Sequence, residues 1–178
     1  MDRPDHKRVE HSPNDARDKQ MAKVNFKVES AWTGAGLAVA NQARQHRWVV
    51  DEPPELGGAD RGPNPVELVL SGLGSCLTVL AALYAPQYGI DLREFRVAAE
   101  GVIDPDGFLG RASVRPGLQG IRYDFEVVSP SKPEAVEAWL SHIQGLCPIK
   151  DTLAGVPVER GRTVIHSRRE HDHDAVAA

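Results

Sequence analysis

The sequence predicts an α+β domain with mainly antiparallel sheets and a long, buried central helix. Alternating apolar and polar residues mark strands on both sides of the middle of the chain, and residues 65–85 form one apolar stretch between them. From Leu68 onward its apolar residues occupy every side of a helical wheel, so we expect a helix that is covered all round. One sheet cannot cover such a helix, and we therefore expect two copies to pack together across a homodimer.

Length and charge restrict the class of partner. The chain has 178 residues, enough for one domain with tails. A net charge of -4 at pH 7 and a pI near 6.0 offer no basic surface for nucleic acid. The first residues lack the apolar stretch of a secretion signal, so we expect a cytoplasmic protein with reduced cysteines. The expected partners are a small molecule and a second copy of the chain, with no nucleic acid and no membrane.

The two ends of the chain differ in composition from its middle. Residues 1–20 and 166–178 are polar and densely charged, so we expect flexible tails around one domain at residues 21–165.

Strand patterns precede the apolar stretch. Three short runs predict an antiparallel meander, at residues 22–30, 37–41 and 46–51. The next loop, residues 52–64, is rich in proline and glycine, and its length is typical of functional loops, so we treat it as a wall of a candidate site. Asn64 is the predicted cap of the central helix, and Pro65 is its predicted first residue.

The second half of the chain adds more strands and a helix pair. Strand patterns lie at residues 95–103, 121–129 and 156–165, and the weaker pattern at 108–115 is interpreted as a short strand or a lid. Ser131 is the predicted cap of a helix that begins at Pro133 and ends near Leu146. A short helix after Cys147 is expected before the last strand.

A transmembrane helix is the rival interpretation of the apolar stretch, because residues 68–85 are uncharged and about long enough to cross a bilayer. Ser71, Ser75 and Thr78 lower its hydrophobicity, and no Lys/Arg cluster flanks either end. A mean hydropathy of -0.36 for the whole chain is that of a soluble protein. We therefore predict a buried helix.

Cys76 and Cys147 are the two cysteines of the sequence, and they lie too far apart for a C-x-x-C pair. Either they are two buried apolar residues, or Cys147 is a reactive thiol. Cys147 precedes Pro148 at the expected start of a helix, where unpaired N–H groups and the helix dipole lower a thiol pKa. Cys76 lies in mid-helix among small residues, which let another backbone or a slim substrate approach its sulfur.

A thiolate at Cys76 needs a cation from elsewhere in the fold, and the nearest preceding arginines are Arg44, Arg47 and Arg61. Glu67 is the acid of the helix, but it lies about 13 Å from Cys76 along the axis and roughly on the opposite face. We do not expect it to serve the cysteine of its own chain. The histidines form no metal-ligand pattern inside the domain, so we expect no metal and no cofactor.

Four motifs occur in a fixed order: D-E-P-P-E-L-G-G from Asp51, G-P-N-P-V-E-L from Gly62, G-S-C ending at Cys76, and C-P-I from Cys147. Over about residues 21–165 they resemble the family of osmotically inducible protein C and organic hydroperoxide resistance protein (OsmC/Ohr). The resemblance implies an intertwined homodimer with swapped strands and two sites at the interface. It also implies that Cys76 attacks a peroxide and becomes a sulfenic acid. Cys147 would then form a disulfide with it, which a cellular dithiol reduces.

Two positions depart from the family pattern. The family's active-site Glu falls ten residues before the helix cysteine, where this chain has Val66, and Glu67 is displaced by one. The peroxidase-type Arg of the first hairpin falls near Leu37, where no Arg occurs, so Arg47 or Arg61 is the expected replacement. These departures indicate a divergent OsmC-like subgroup.

The leading hypothesis is a thiol-dependent peroxidase that reduces organic or hydrogen peroxides in oxidative stress defence. The expected catalytic residues are Cys76, Cys147, Arg47 and Glu67, and the expected substrate-binding residues are Arg61, Leu73 and Leu77. The alternative is a non-catalytic OsmC-like protein that binds a small hydrophobic ligand at the dimer interface. A cysteine hydrolase is disfavoured because no His is evidently placed to act as a base.

Overall fold

The computed structural model of the protein describes residues 23–167. The predicted N-terminal tail lies outside these residues, and so does the C-terminal one from residue 168 onward. The last strand extends to His166, one residue beyond the end of the predicted strand pattern.

Within the described residues, two three-stranded sheets and four helices alternate along the chain. Their order is β1 (Glu29–Trp32), β2 (Val39–Ala43), β3 (His46–Val50), α1 (Pro65–Tyr84), β4 (Glu94–Val102), α2 (Pro105–Phe108), β5 (Gly120–Val128), α3 (Pro133–Leu146), α4 (Pro148–Thr152) and β6 (Val158–His166). Short 3₁₀ turns at Pro54–Leu56 and Ala85–Tyr88 lie on either side of α1.

The first sheet is the predicted antiparallel meander, in the order β1-β2-β3. Its first strand is shorter than the alternating pattern predicts, because pairing begins only at Glu29. The preceding Val24, Phe26 and Val28 are exposed, and Phe26 is 91% exposed. The alternation is present in the sequence, but no strand of the described chain pairs with residues 23–28. The prediction of a strand there is wrong for the single chain.

The start of α1 follows from three neighbouring residues. Asn64 accepts a hydrogen bond from the Glu67 backbone N–H, and the Glu67 carboxylate accepts one from the Asn64 N–H, both at 2.8 Å. Pro65 occupies the first helical position, where its missing N–H costs nothing. This capping box confirms the predicted start of the helix.

The start of α3 differs from the prediction. Lys132 is its N-cap and makes no side-chain capping bond. The Ser131 hydroxyl accepts a hydrogen bond from the Asp91 N–H instead, at 2.9 Å, and so fastens α3 to the segment before β4.

The second sheet has the order β4-β5-β6. The pair β4–β5 is antiparallel, whereas β5 and β6 are parallel because α3 and α4 cross over between them. The weak pattern at residues 108–115 forms no strand. There the chain bends, and the Arg115 Nη1 donates to the Gly155 carbonyl at 3.0 Å.

The core lies between the second sheet and the helices α1 and α3. Trp139 of α3 is fully buried, its ring contacts Phe95, and its Nε1 donates to the Ala81 carbonyl of α1 at 3.2 Å. Burial of each large apolar side chain contributes about 1.5–3 kcal/mol. This packing holds α1 and α3 side by side.

The prediction that α1 is buried on all sides is wrong for the single chain. Leu73 and Leu77 have no exposed surface, whereas Val79 and Leu83 are 65% and 59% exposed. The sheet and α3 cover one face of the helix and leave an apolar face open. By length and composition alone, Pro65–Tyr88 could also cross a membrane, a weak criterion that core helices of soluble proteins meet as well.

Candidate active site

The structure brings the two cysteines together. The Sγ atoms of Cys76 and Cys147 lie 3.1 Å apart, and both are free thiols. Cys76 lies in the middle of α1, and Cys147 lies between α3 and α4. The contact of α1 with α3 and α4 therefore creates a pair that neither segment contains by itself.

Cys147 occupies a turn that its own sequence specifies. It ends α3 and caps α4, with φ -73° and ψ 108°. The following Pro148 disfavours helical angles at the residue before it, so α3 stops here. The Lys150 N–H then donates to the Cys147 sulfur at 3.4 Å. The predicted position of Cys147 at a helix start is confirmed.

The environment of Cys76 favours its protonated form. Burial raises the pKa of the Cys76 thiol above its ordinary value of 9.0, and the hydrogen bond and charge of Cys147 raise it further. A backbone N–H from Ile149 acts in the opposite direction and lowers this pKa. None of these influences on the thiol pKa is a cation of the described chain. A positive charge from another source would lower this pKa and favour the thiolate.

Burial distinguishes the two sulfurs. Cys147 is 2% exposed, whereas Cys76 is only partly buried. Of the two cysteines, Cys76 is therefore the more accessible to solvent in the single chain.

The predicted arginines lie away from the pair in the single chain. Arg47 is on β3 of the first sheet, where its Nε donates to the Gln42 Oε1 at 3.1 Å. Arg61 is exposed in the loop that precedes α1. Neither is among the groups that shift the Cys76 pKa. Their predicted roles remain predictions, and the described chain alone does not fulfil them.

A buried acid orders the loop that carries Arg61. Asp51 is 2% exposed, and its carboxylate accepts the backbone N–H groups of Glu52, Ala59 and Arg61 at 2.9–3.3 Å. This role of Asp51 was not among the sequence-based predictions. An acid between a strand and a loop rich in proline and glycine was the available signal.

Glu67 and the two leucines are also placed by the structure. Glu67 caps α1 and lines a groove of about 650 Å³ between α1 and β4, together with Ser71 and Arg96. Leu73 and Leu77 belong to the core and have no exposed surface. The sheet and α3 cover the face of α1 that carries them, and their contact with substrate stays a prediction.

Two further side chains lie near Cys147 and were not singled out from the sequence. The Tyr123 hydroxyl donates to the Gln144 Oε1 at 2.7 Å. Burial raises the pKa of Tyr123, Arg160 lowers it, and Cys147 raises it. The alternation of β5 marked Tyr123 only as a core residue. Gln144 lies three residues before Cys147, and this spacing was the available signal.

The fold and the paired thiols define a class of protein, an α+β domain with one cysteine in its central helix and a second one at a helix junction. The sequence model of the family described as "OsmC-like protein" matches residues 57–160. The chain belongs to the OsmC-like family.

Individual relatives agree with this assignment. The chain is 27% identical over 99 residues to a hydroperoxide reductase of Mycoplasma pneumoniae, an alignment that covers 54% of this chain and 65% of that protein. The aligned part therefore spans less than two thirds of the relative's length.

Solved structures show that the fold is shared. The crystal structure of an OsmC-like protein from Mycoplasma pneumoniae matches with a TM-score of 0.69 at 20% identity, covering 82% of this chain and 100% of that one. An organic hydroperoxide resistance protein OsmC from Legionella pneumophila matches with a TM-score of 0.62 at 18% identity, covering 82% and 99%. The predicted α+β OsmC-like fold is confirmed.

Proposed function

We propose that this protein is a thiol-dependent peroxidase that reduces organic or hydrogen peroxides. The observation that carries the proposal is the 3.1 Å separation of the Cys76 and Cys147 sulfurs, which suits a pair that cycles between dithiol and disulfide. The name of the Mycoplasma pneumoniae relative, a hydroperoxide reductase, supports the choice of substrate class.

The reaction has three steps. The Cys76 thiolate attacks one oxygen of the O–O bond, becomes a sulfenic acid and releases an alcohol, or water from hydrogen peroxide, after the leaving oxygen takes a proton. The Cys147 sulfur then attacks the Cys76 sulfur, forms the disulfide and releases the oxygen as water. A cellular dithiol finally supplies two electrons and two protons and restores both thiols. No metal or cofactor takes part.

A cytoplasmic homodimer is part of the proposal. The open apolar face of α1, with Val79 and Leu83, offers a surface that a second copy can cover. The exposed Phe26 and Trp32 offer a further apolar surface at the edge of the first sheet. Arg47 or Arg61 of the second copy would supply the cation that Cys76 lacks in its own chain. Analytical ultracentrifugation should find a dimer, and a monomer at micromolar concentration would contradict this part.

The central test counts thiols. Titration of the reduced protein with cumene hydroperoxide should consume two thiols per chain, and Cys76→Ser should abolish the loss. In Cys147→Ser, a sulfenic acid should persist at Cys76 and react with dimedone. Thiol counts that stay unchanged in the unmodified protein would refute the peroxidase proposal.

A non-catalytic protein that binds a small hydrophobic ligand is the second candidate. Two observations favour it: burial raises the pKa of the Cys76 thiol, and Val66 replaces the Glu of the family pattern. Saturable binding of an apolar fluorescent probe, combined with thiols that do not react with peroxide, would select this candidate.

A further inference from the structure

A partly buried hydrogen bond, which the proposed reaction does not otherwise use, lies directly before Cys147. The Tyr123 hydroxyl donates to the Gln144 Oε1, and the Gln144 Nε2 donates to the Leu140 carbonyl, both at 2.7 Å. Both ends of the amide are thus engaged. Gln144 belongs to the last turn of α3, and this turn leads into Cys147.

Tyr123 is a rigid anchor for this turn. It is almost completely buried on β5, the middle strand of its sheet, where it pairs with Ala99 on one side and Arg160 on the other. Its ring packs edge to face against Phe125, with 5.3 Å between centroids. Burial raises the pKa of Tyr123, so the phenol keeps its proton and remains a donor at neutral pH.

The last turn of α3 has few other anchors. Ile143 is buried, but Gly145 has no side chain and Leu146 is exposed. Cys147 follows at once, both as the end of α3 and as the cap of α4. A shift of this turn therefore moves the Cys147 sulfur relative to the Cys76 sulfur.

We propose that Tyr123 is a positioning residue, whose hydrogen bond to Gln144 holds the Cys147 sulfur at disulfide-forming distance from Cys76. The role rests on the proposed function, because it matters only if the pair is oxidised in turnover. Its physical basis is proximity. When the Cys147 sulfur is held in place, the two thiols have a high effective concentration with respect to each other and the disulfide is favoured. When Cys147 can move more freely, the reduced dithiol is favoured.

The test uses the full chain in glutathione buffers, without peroxide. The two protein thiols reduce one molecule of oxidised glutathione to two of glutathione as the protein disulfide forms, and mass spectrometry after alkylation gives the oxidised fraction. Tyr123→Phe removes only the hydroxyl, and we expect the equilibrium constant for the disulfide to fall about tenfold. The matched control is Tyr88→Phe, the same change at a tyrosine whose ring contacts His142, and it should change nothing. A Tyr123→Phe constant equal to that of the control would overturn the proposal.

A second variant tests the link itself. Gln144→Met keeps the length of the side chain and removes both the acceptor for Tyr123 and the donor to the Leu140 carbonyl. If both residues act through one hydrogen bond, the double variant should match the weaker single variant within about twofold. If the decrease in the equilibrium constant of the double variant equals the product of the two single decreases, the residues act independently and the proposed link through one hydrogen bond is refuted. Urea unfolding of the same reduced variants measures any general loss of stability. In a variant that stays folded, such a loss would not lower the equilibrium constant for disulfide formation in glutathione buffers.

The outcomes also separate the two proposals. If Cys76 fails to react with peroxide but Tyr123→Phe lowers the glutathione constant, the peroxidase proposal fails and the positioning role stands. If peroxide consumes both thiols but Tyr123→Phe behaves like the control, the positioning role fails and the peroxidase proposal stands.

Discussion

The indole N–H of Trp139 donates to the Ala81 carbonyl across the interface between α3 and α1, at 3.2 Å and fully buried. This bond joins α1 to α3. Ala81 lies within three helical turns of Cys76, and Trp139 lies within three turns of Cys147. The bond links the stability of the core to the geometry of the candidate active site.

Trp139→Phe should destabilise the protein by about 2–4 kcal/mol, because it removes this hydrogen bond and leaves a cavity. Urea unfolding of the reduced protein measures the loss. Trp48→Phe is the matched control, because the indole N–H of Trp48 has no hydrogen-bond partner within the described chain and the side chain is only partly buried, so its replacement should cost about 1 kcal/mol or less. Similar losses for the two variants would contradict the assigned importance of the Trp139 contact.

The raised pKa of Cys76 predicts how its reactivity depends on pH. The thiolate is the reactive form, so alkylation of Cys76 by iodoacetamide should rise with pH. If no cation of a second copy reaches the sulfur, the midpoint should lie above the ordinary value of 9.0. Peptide mapping by mass spectrometry assigns the modified sulfur. A midpoint below the ordinary value would show that a cation from outside the described chain acts on the thiol.

The same shift has a consequence for stability. The folded state favours the neutral thiol, so this contribution is fully present below the pKa of the unfolded state and is lost as pH rises through the higher folded pKa. Reduced protein should therefore unfold at lower urea concentration once the pH exceeds about 9. Cys76→Ser should remove this part of the pH dependence, and an unchanged profile in that variant would contradict the assignment.

Asp51→Ala should loosen the loop that carries Arg61, because three backbone N–H groups lose their acceptor. We expect a loss of about 1–3 kcal/mol and faster tryptic cleavage after Arg61. Glu55→Ala is the control, since Glu55 is exposed in the same loop. If the two variants are cleaved at the same rate, the carboxylate does not hold the loop.

Glu137→Gln tests the ion pair between α3 and β6. The Arg160 Nη2 lies 2.8 Å from the Glu137 carboxylate, and Arg160 is the less exposed of the two partners. Partial exposure screens the pair, so we expect a loss of about 0.5–1 kcal/mol, measured by thermal unfolding in low salt. Glu126→Gln removes a charge from the more exposed and longer contact with Arg96 and should have almost no effect.

Local signals predicted the starts of α1 and α4 well, whereas the pairing of the two cysteines was expected from the family resemblance alone. Asn64, Glu67 and Pro65 specify the start of α1 through contacts within four residues, and Cys147 before Pro148 specifies its own turn. Such contacts can be predicted because the sequence spacing itself sets the distances.

Contacts between distant residues could not be predicted. Ser131 looks like a helix cap, yet it serves Asp91, which lies 40 residues away in the chain. Leu73 and Leu77 lie one turn apart on the covered face of α1, and only the packing of the sheet decides which face is covered. The strand expected at residues 22–30 failed for the same reason, because an alternating pattern does not identify the strand with which it pairs.

The two sulfurs stand 71 residues apart in the chain and almost touch in the fold. A covalent bond between them would close a large loop and restrict the unfolded ensemble, which corresponds to about 4 kcal/mol in the chain-entropy description. The oxidised molecule would then melt at a distinctly higher temperature than the reduced one. The melting temperature of the protein would therefore depend on the redox balance of its surroundings.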